Sequence, residues 1–219
     1  MSDVTLVIGN KNYSSWSLRP WVFLKHHDIP FTEKWVSLFT DTTKEALAPY
    51  QSNFKVPVLQ DDGFNIWDSL AILEYIAEQY PQTNAWPQGT QARAFARAIS
   101  YEMHASFVHI RSEMPMNCRK QFHQFKCSDD AQNEVERIKT LWRQCRTQFG
   151  QGGQWLFGHY SIADAMFAPI ALRFSGYGVP LDGIEAAYVQ SVLHQPAIIE
   201  WIHASKAEKE TIPQSEIKT

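Results

Sequence analysis

Val56-Pro57-Val58-Leu59 runs, across the turn at Asp61-Asp62-Gly63, into Ile66-Trp67-Asp68-Ser69-Leu70-Ala71-Ile72-Leu73-Glu74-Tyr75-Ile76. Pro57 has no amide hydrogen for a sheet ladder, so its place among β-prone residues implies an edge strand or a bend, with cis geometry open to it as to any X-Pro bond. A bend leaves backbone groups exposed. Asp68 and Ser69 then precede apolar positions 70, 73, 76 and 77, which fall on one helical face, and Pro81 stands beyond as a stop signal. The start of such a helix offers unpaired N–H groups to an anion.

Upstream, Thr5-Leu6-Val7-Ile8 is β-prone, and Gly9-Asn10-Lys11-Asn12 is turn material leading to Tyr13-Ser14-Ser15. Leu18, Trp21, Val22 and Leu24 predict a helix over 16–27 with Pro20 in its first turn, which places Ser14 and Ser15 at the helix N-terminus. A second strand over 31–38, a short helix over 42–50 and a hairpin of 56–59 with 64–66 complete the order βαβαββα. Strands joined through a helix pair in parallel and a hairpin pairs antiparallel, so residues 1–80 read as an α/β domain with a small mixed sheet. Pro81, Pro87 and Gly89 among polar residues mark a linker over 81–90. Residues 91–219 are expected to be all helical, with helices over 92–113, 131–149, 162–174 and 196–207 and a polar, frayed tail over 208–219. Ser161-Ile162-Ala163-Asp164 has the form of a capping box and is read as structural.

The composition excludes several classes. With 44% hydrophobic and 20% charged residues in 219, the chain reads as globular rather than disordered, and no run of about 18 apolar residues suggests a membrane span. Its 20 Lys and Arg are dispersed among 23 acids for a net charge of -3, so no nucleic-acid partner is expected. Met1-Ser2-Asp3-Val4 lacks the features of a signal peptide, which makes the cytoplasm the expected location. Cys118, Cys127 and Cys145 fit neither a disulfide framework nor a zinc site and read as reduced bystanders.

Together these pieces resemble the cytosolic glutathione transferases: a thioredoxin-like α/β N-terminal domain, a linker and an all-α C-terminal domain. Val56-Pro57 is similar to that family's cis-proline element, Asp68-Ser69-Leu70-Ala71-Ile72 to its acid-serine glutathione motif, and the 161–164 segment to its capping box. Tyr13-Ser14-Ser15-Trp16-Ser17-Leu18-Arg19 resembles the serine-type branch that contains the zeta class, except that Trp16 stands where the zeta pattern has a cysteine. The indole removes a thiol from the site and counts against the zeta isomerisation of maleylacetoacetate.

The resemblance implies glutathione as cosubstrate, no metal, a homodimer and a role in detoxification. Ser69 and the amides around it would hold the γ-glutamyl carboxylate, with Asp68 pairing the amine. The backbone of Val56, held open by Pro57, would pair with the cysteinyl unit as a short added strand, and Lys44 would meet the glycyl carboxylate. The nucleophile is the thiolate, and with a thiol pKa of about 8.5 only roughly 3% is ionised at pH 7. A hydroxyl hydrogen bond worth about 1.5 to 3 kcal/mol lowers that pKa by roughly one to two units. Ser14 is the first candidate for this donor and Ser15 the second, although helix capping suits both positions equally.

For the second substrate the candidates are Tyr101, Met103, His104, Phe107, Val108 and Arg111, with Met114-Pro115-Met116 ending the helix beside them. Positions 104, 107, 108 and 111 share a face of the expected 92–113 helix, so core packing competes with pocket lining, above all for Phe107 and Val108. Arg111 suits an anionic substrate or an ion pair, and Arg19 reads as an ion-pair residue. The expected activity is conjugation of the thiolate to a hydrophobic electrophile. A glutathione-dependent isomerase or peroxidase starts from the same thiolate, and a non-catalytic binding or regulatory module shares the fold. The eight histidines show no nucleophile-elbow arrangement, which disfavours a covalent serine hydrolase.

Overall fold

The computed structural model describes residues 4–122 and 125–217. Its first seven elements follow the order expected: β1 (Val4–Ile8), α1 (Ser15–His26), β2 (Thr32–Trp35), α2 (Thr43–Leu47), β3 (Val58–Asp61), β4 (Phe64–Ile66) and α3 (Ser69–Gln79). The sheet runs β2-β1-β3-β4, with β2 parallel to β1 and the other pairs antiparallel. Alternation sorts its side chains. Leu6, Ile8 and Leu59 join the main core with Trp21, Leu24 and Leu73, whereas Val7 and Val58 pack with Val36, Leu47 and Tyr50 on the other face. The result is a thioredoxin-like layer, and the Val56–Pro57 bond that enters β3 is cis.

The remainder is helical: α4 (Thr90–Ala105), α5 (Val108–Glu113), α6 (Asp129–Gln148), α7 (Ile162–Gly176), α8 (Gly183–Leu193) and α9 (Pro196–Ala207). Helix α7 is buried along nearly its whole length and packs against α1 and α4. One apolar cluster therefore runs unbroken from Val4 in the sheet to Trp201 in α9. Among the described residues no helix is long and apolar enough to cross a membrane, and all three cysteines are free.

Three expectations are corrected. The single helix over 92–113 is broken at residues 106 and 107, where Phe107 takes a left-handed conformation (φ 63°). Arg111 donates to the freed carbonyls of Met103 and His104 and to that of Ser106, and the Glu134 carboxylate accepts from the His109 and Ile110 N–H groups, so backbone groups at both new helix ends find partners. Helix α8 was not anticipated. The tail is not frayed over its described part: Glu208 accepts from the Lys11 and Asn12 N–H groups, and Glu216 meets Tyr13, Asn117 and Lys120. Arg119 fixes it further, donating to the carbonyls of Glu208 and Glu210 and to Tyr13 Oη. Residues 218 and 219 of that tail, like residues 1–3, lie outside the described residues.

Candidate functional site

Asn10 organises the turn after β1. Its carbonyl accepts from the N–H groups of Tyr13 (3.1 Å) and Ser14 (2.8 Å), and its Oδ1 accepts from Leu38 N–H (2.9 Å). Gly9 permits this approach, since a Cβ there would lie 2.4 Å from Leu38 Cδ1. Ser14 emerges as the N-cap of α1: its Oγ accepts from Ser17 N–H (3.3 Å) and donates to Ser17 Oγ (2.8 Å). A hydroxyl has one proton, and that of Ser14 is committed.

Ser15 differs. Its Oγ accepts from Nη2 of Arg173 at 3.3 Å, and because a guanidinium can only donate, the Ser15 proton remains available. Both serines and Arg173 line a cavity of about 750 Å³. Arg173 is 6% exposed, donates to the carbonyls of Met114 (2.8 Å) and Pro169 (3.3 Å), and has no carboxylate within ion-pair distance among the described residues. Burial, with Arg111 adding repulsion, pushes its pKa down to about 10.

At the start of α3, Asp68 is the N-cap, Oδ1 accepting from Leu70 N–H (3.1 Å) and Ala71 N–H (3.3 Å). Its Oδ2 lies 2.8 Å from Nε2 of His104, whose pKa is lowered by burial against the opposing pull of Asp68. Ser69 is buried beside Arg19, Nη1 to Oγ 3.5 Å. Asp68, Ser69 and His104 line a second cavity of about 220 Å³ with Asn53, Pro57 and Trp67. Trp16, Lys55 and Val56 line both cavities.

Trp16 is the divider. The guanidinium groups of Arg19 and Arg111 lie 4.3 and 4.8 Å from its ring centroid, and His104 meets it edge-on at 5.3 Å. Arg19 is therefore held by an indole and a hydroxyl rather than by an ion pair. Lys44, on α2, is exposed at the rim of the larger cavity, 5.2 Å from the Phe54 ring.

Of the residues expected to meet a second substrate, His104 and Arg111 reach a cavity wall. Met103 and Phe107 do not: both are buried in the main core, because the break after α4 turns Phe107 inward. Tyr101 and Val108 face outward. Pro115 and Met116 border the larger cavity, as does Ser215 from the tail. Sequence reasoning missed Lys55, Arg173 and Ser215. The signal for Arg173 was present, a lone cation in the Ile162-Ala163-Asp164-Ala165-Met166-Phe167-Ala168-Pro169-Ile170-Ala171-Leu172-Arg173-Phe174 segment, which is apolar apart from it and the capping-box acid Asp164.

Residues 13–79, which carry both serines, Lys44, Val56-Pro57 and Asp68-Ser69, match the family model of the glutathione S-transferase N-terminal domain. That segment is a glutathione S-transferase N-terminal domain. It is 37% identical over 75 residues to dichloromethane dehalogenase of Methylorubrum extorquens, covering 33% of this chain and 26% of that one. It is 38% identical over 86 residues to a probable maleylacetoacetate isomerase of Caenorhabditis elegans (39% of each chain). Against human glutathione S-transferase theta-1 it is 38% identical over 76 residues (34% of this chain, 32% of that one). The match thus spans about a quarter to two fifths of the length of these curated relatives. A glutathione transferase homolog from Burkholderia solved with bound glutathione superposes with TM-score 0.71 at 22% identity, covering 95% of this chain and 100% of that one. The Tau-class enzyme of mango superposes with TM-score 0.69 at 16% identity (93% and 96%). Both place this glutathione S-transferase relative in the fold over nearly its whole length, while Arg111 and Arg173 lie outside the segment matched by the family model.

Proposed function

We propose that the chain is a glutathione transferase that ionises the bound thiol through the hydroxyl of Ser15. The observation that carries this reading is the pair of contacts at the start of α1: Ser14 gives its proton to Ser17, whereas Ser15 accepts from Arg173 and keeps its own. A donor at Ser15, with a carboxylate-free guanidinium behind it, favours a thiolate over a thiol at that point of the cavity. The γ-glutamyl end would lie in the smaller cavity against Ser69 and Asp68, the cysteinyl unit along Val56, and the glycyl carboxylate toward Lys44 and Lys55. The His104 contact leaves Asp68 capacity for the amine, since a carboxylate accepts about four hydrogen bonds. Isomerase or peroxidase chemistry would start from the same thiolate, and the indole at position 16, in place of the zeta-pattern cysteine, counts against maleylacetoacetate isomerisation. The family likeness carries with it a homodimer in a glutathione-containing cytoplasm.

The test is ultraviolet titration of bound glutathione in wild type, Ser14→Ala and Ser15→Ala, with binding measured by calorimetry. The thiol pKa in wild type should lie roughly one to two units below its free value and return toward it in Ser15→Ala. Ser14→Ala should keep the depressed pKa and lose about 1 kcal/mol of stability as a missing helix cap. Reversion in Ser14→Ala alone would assign the role to the other serine.

A further inference from the structure

The glutathione assignment uses one wall of the larger cavity, formed by Ser15, Lys44 and Val56, together with the smaller cavity. The opposite wall comes from the helical half and contains Arg111, Pro115, Met116 and Arg173. It is apolar in its middle and cationic at two points. Resting on the transferase reading, we infer that the electrophile carries a carboxylate, held by Arg111 and Arg173 while its carbon skeleton packs against Pro115 and Met116.

Every named hydrogen bond of the two guanidinium groups goes to a neutral oxygen. Arg173 donates to Met114 O, Pro169 O and Ser15 Oγ, and Arg111 to Met103 O, His104 O and Ser106 O. Each group has five N–H donors, so each retains two, and on Arg111 both are on Nη1. Among the described residues neither has a carboxylate within ion-pair distance, and Glu134, the acid whose field reaches Arg111, uses both oxygens on the amides of His109 and Ile110. Arg173 is buried and Arg111 half-buried at the same cavity, and like charges taken even partly out of water without a carboxylate partner are costly, so an anion arriving in the cavity offsets that cost. A neutral electrophile would leave both guanidinium groups without a carboxylate partner.

The inference is tested with product mimics, which contain no thiolate and so isolate the acceptor half of the site. Calorimetry would compare S-methylglutathione, S-(carboxymethyl)glutathione and S-(carbamoylmethyl)glutathione, the last two differing in a carboxylate against an amide of nearly equal shape. Wild type should bind the carboxylate about tenfold more tightly than the amide, the gain of a charge-assisted pair over a neutral one. In Arg111→Met that ratio should fall toward one. Arg173 is buried, so replacing it endangers the fold, and the wild-type ratio with Arg111→Met carries the test. A ratio near one in wild type, or a tenfold ratio unchanged in Arg111→Met, overturns the inference. If S-methylglutathione binds in that experiment the transferase reading survives it; if none of the three binds, both fall together.

Discussion

Helices α3 and α7 open on the same two residue types, an aspartate and a serine, and use them in opposite ways. At α7 the acid is inside the first turn and fully buried, its oxygens accepting from Leu156 N–H (3.0 Å), Ser161 N–H (2.9 Å) and Ser161 Oγ (2.9 Å). Burial pushes that carboxyl up to about 6 against the pull of those bonds. At α3 the acid is the cap itself, with one oxygen on two backbone amides and the other turned to His104 at the wall of a cavity, its side chain 38% exposed. Saturation by the protein's own donors, not residue type, separates a structural acid from one with capacity left for a ligand.

The contrast breaks most visibly at Asp164. Asp164→Ala leaves the amides of Leu156 and Ser161 buried without an acceptor, each worth about 1 to 3 kcal/mol, and should cost about 3 kcal/mol of stability in urea unfolding. Glutathione affinity of the folded fraction should not change, since the residue touches neither cavity. Asp68 should give the reverse pattern. Asp68→Asn preserves a good N-cap, so stability should move by less than about 0.5 kcal/mol, while loss of the charge for the γ-glutamyl amine should weaken glutathione about tenfold by calorimetry. Asp68→Ala should add the missing cap, about 1 kcal/mol, to the same loss of affinity. Unchanged affinity in both variants would make α3 a second structural start and remove the distinction.

The comparison also shows what local sequence can encode. Both helix starts, the βαβαββα order and the position of Ser14 and Ser15 were legible, because turn chemistry and apolar spacing act over a few residues. The break between α4 and α5 was not: Phe107 keeps the apolar spacing of a continuous helix, and the groups that stabilise the break, Arg111 and Glu134, have no local signature. The ordered tail escaped for the same reason, its acids meeting amides and side chains about 100 to 200 positions away. So did the difference between the two serines. Adjacent in sequence, Ser14 and Ser15 part ways through Ser17, three residues on, and Arg173, 158 residues on.

The smallest effect expected is on the pH axis, where Asp164 has an opponent. His27 packs on Phe23 (4.5 Å) and His26 (4.8 Å), its Nε2 is buried without a partner, and burial, reinforced by His26 and His159, lowers its pKa to about 4. Between about 4 and the unfolded value near 6.5 the unfolded chain binds more protons at this site, so its contribution to stability rises with pH and is lost on acidification. Asp164 runs the other way. Its folded pKa of about 6 exceeds an unfolded value near 3.9, so in that window the folded chain holds the extra proton and stability falls as pH rises. The wild-type curve is a sum in which the two slopes oppose, and His27→Phe should remove the rising part, leaving the variant relatively more stable at pH 4.5 than at pH 7. Because His27 is only half buried, solvent screening should hold the difference under about 1 kcal/mol, readable as the pH dependence of the Tm gap between the two proteins. A Tm gap that is flat from pH 4.5 to 7 would show that His27 titrates alike in both states and that the fall assigned to Asp164 is unopposed.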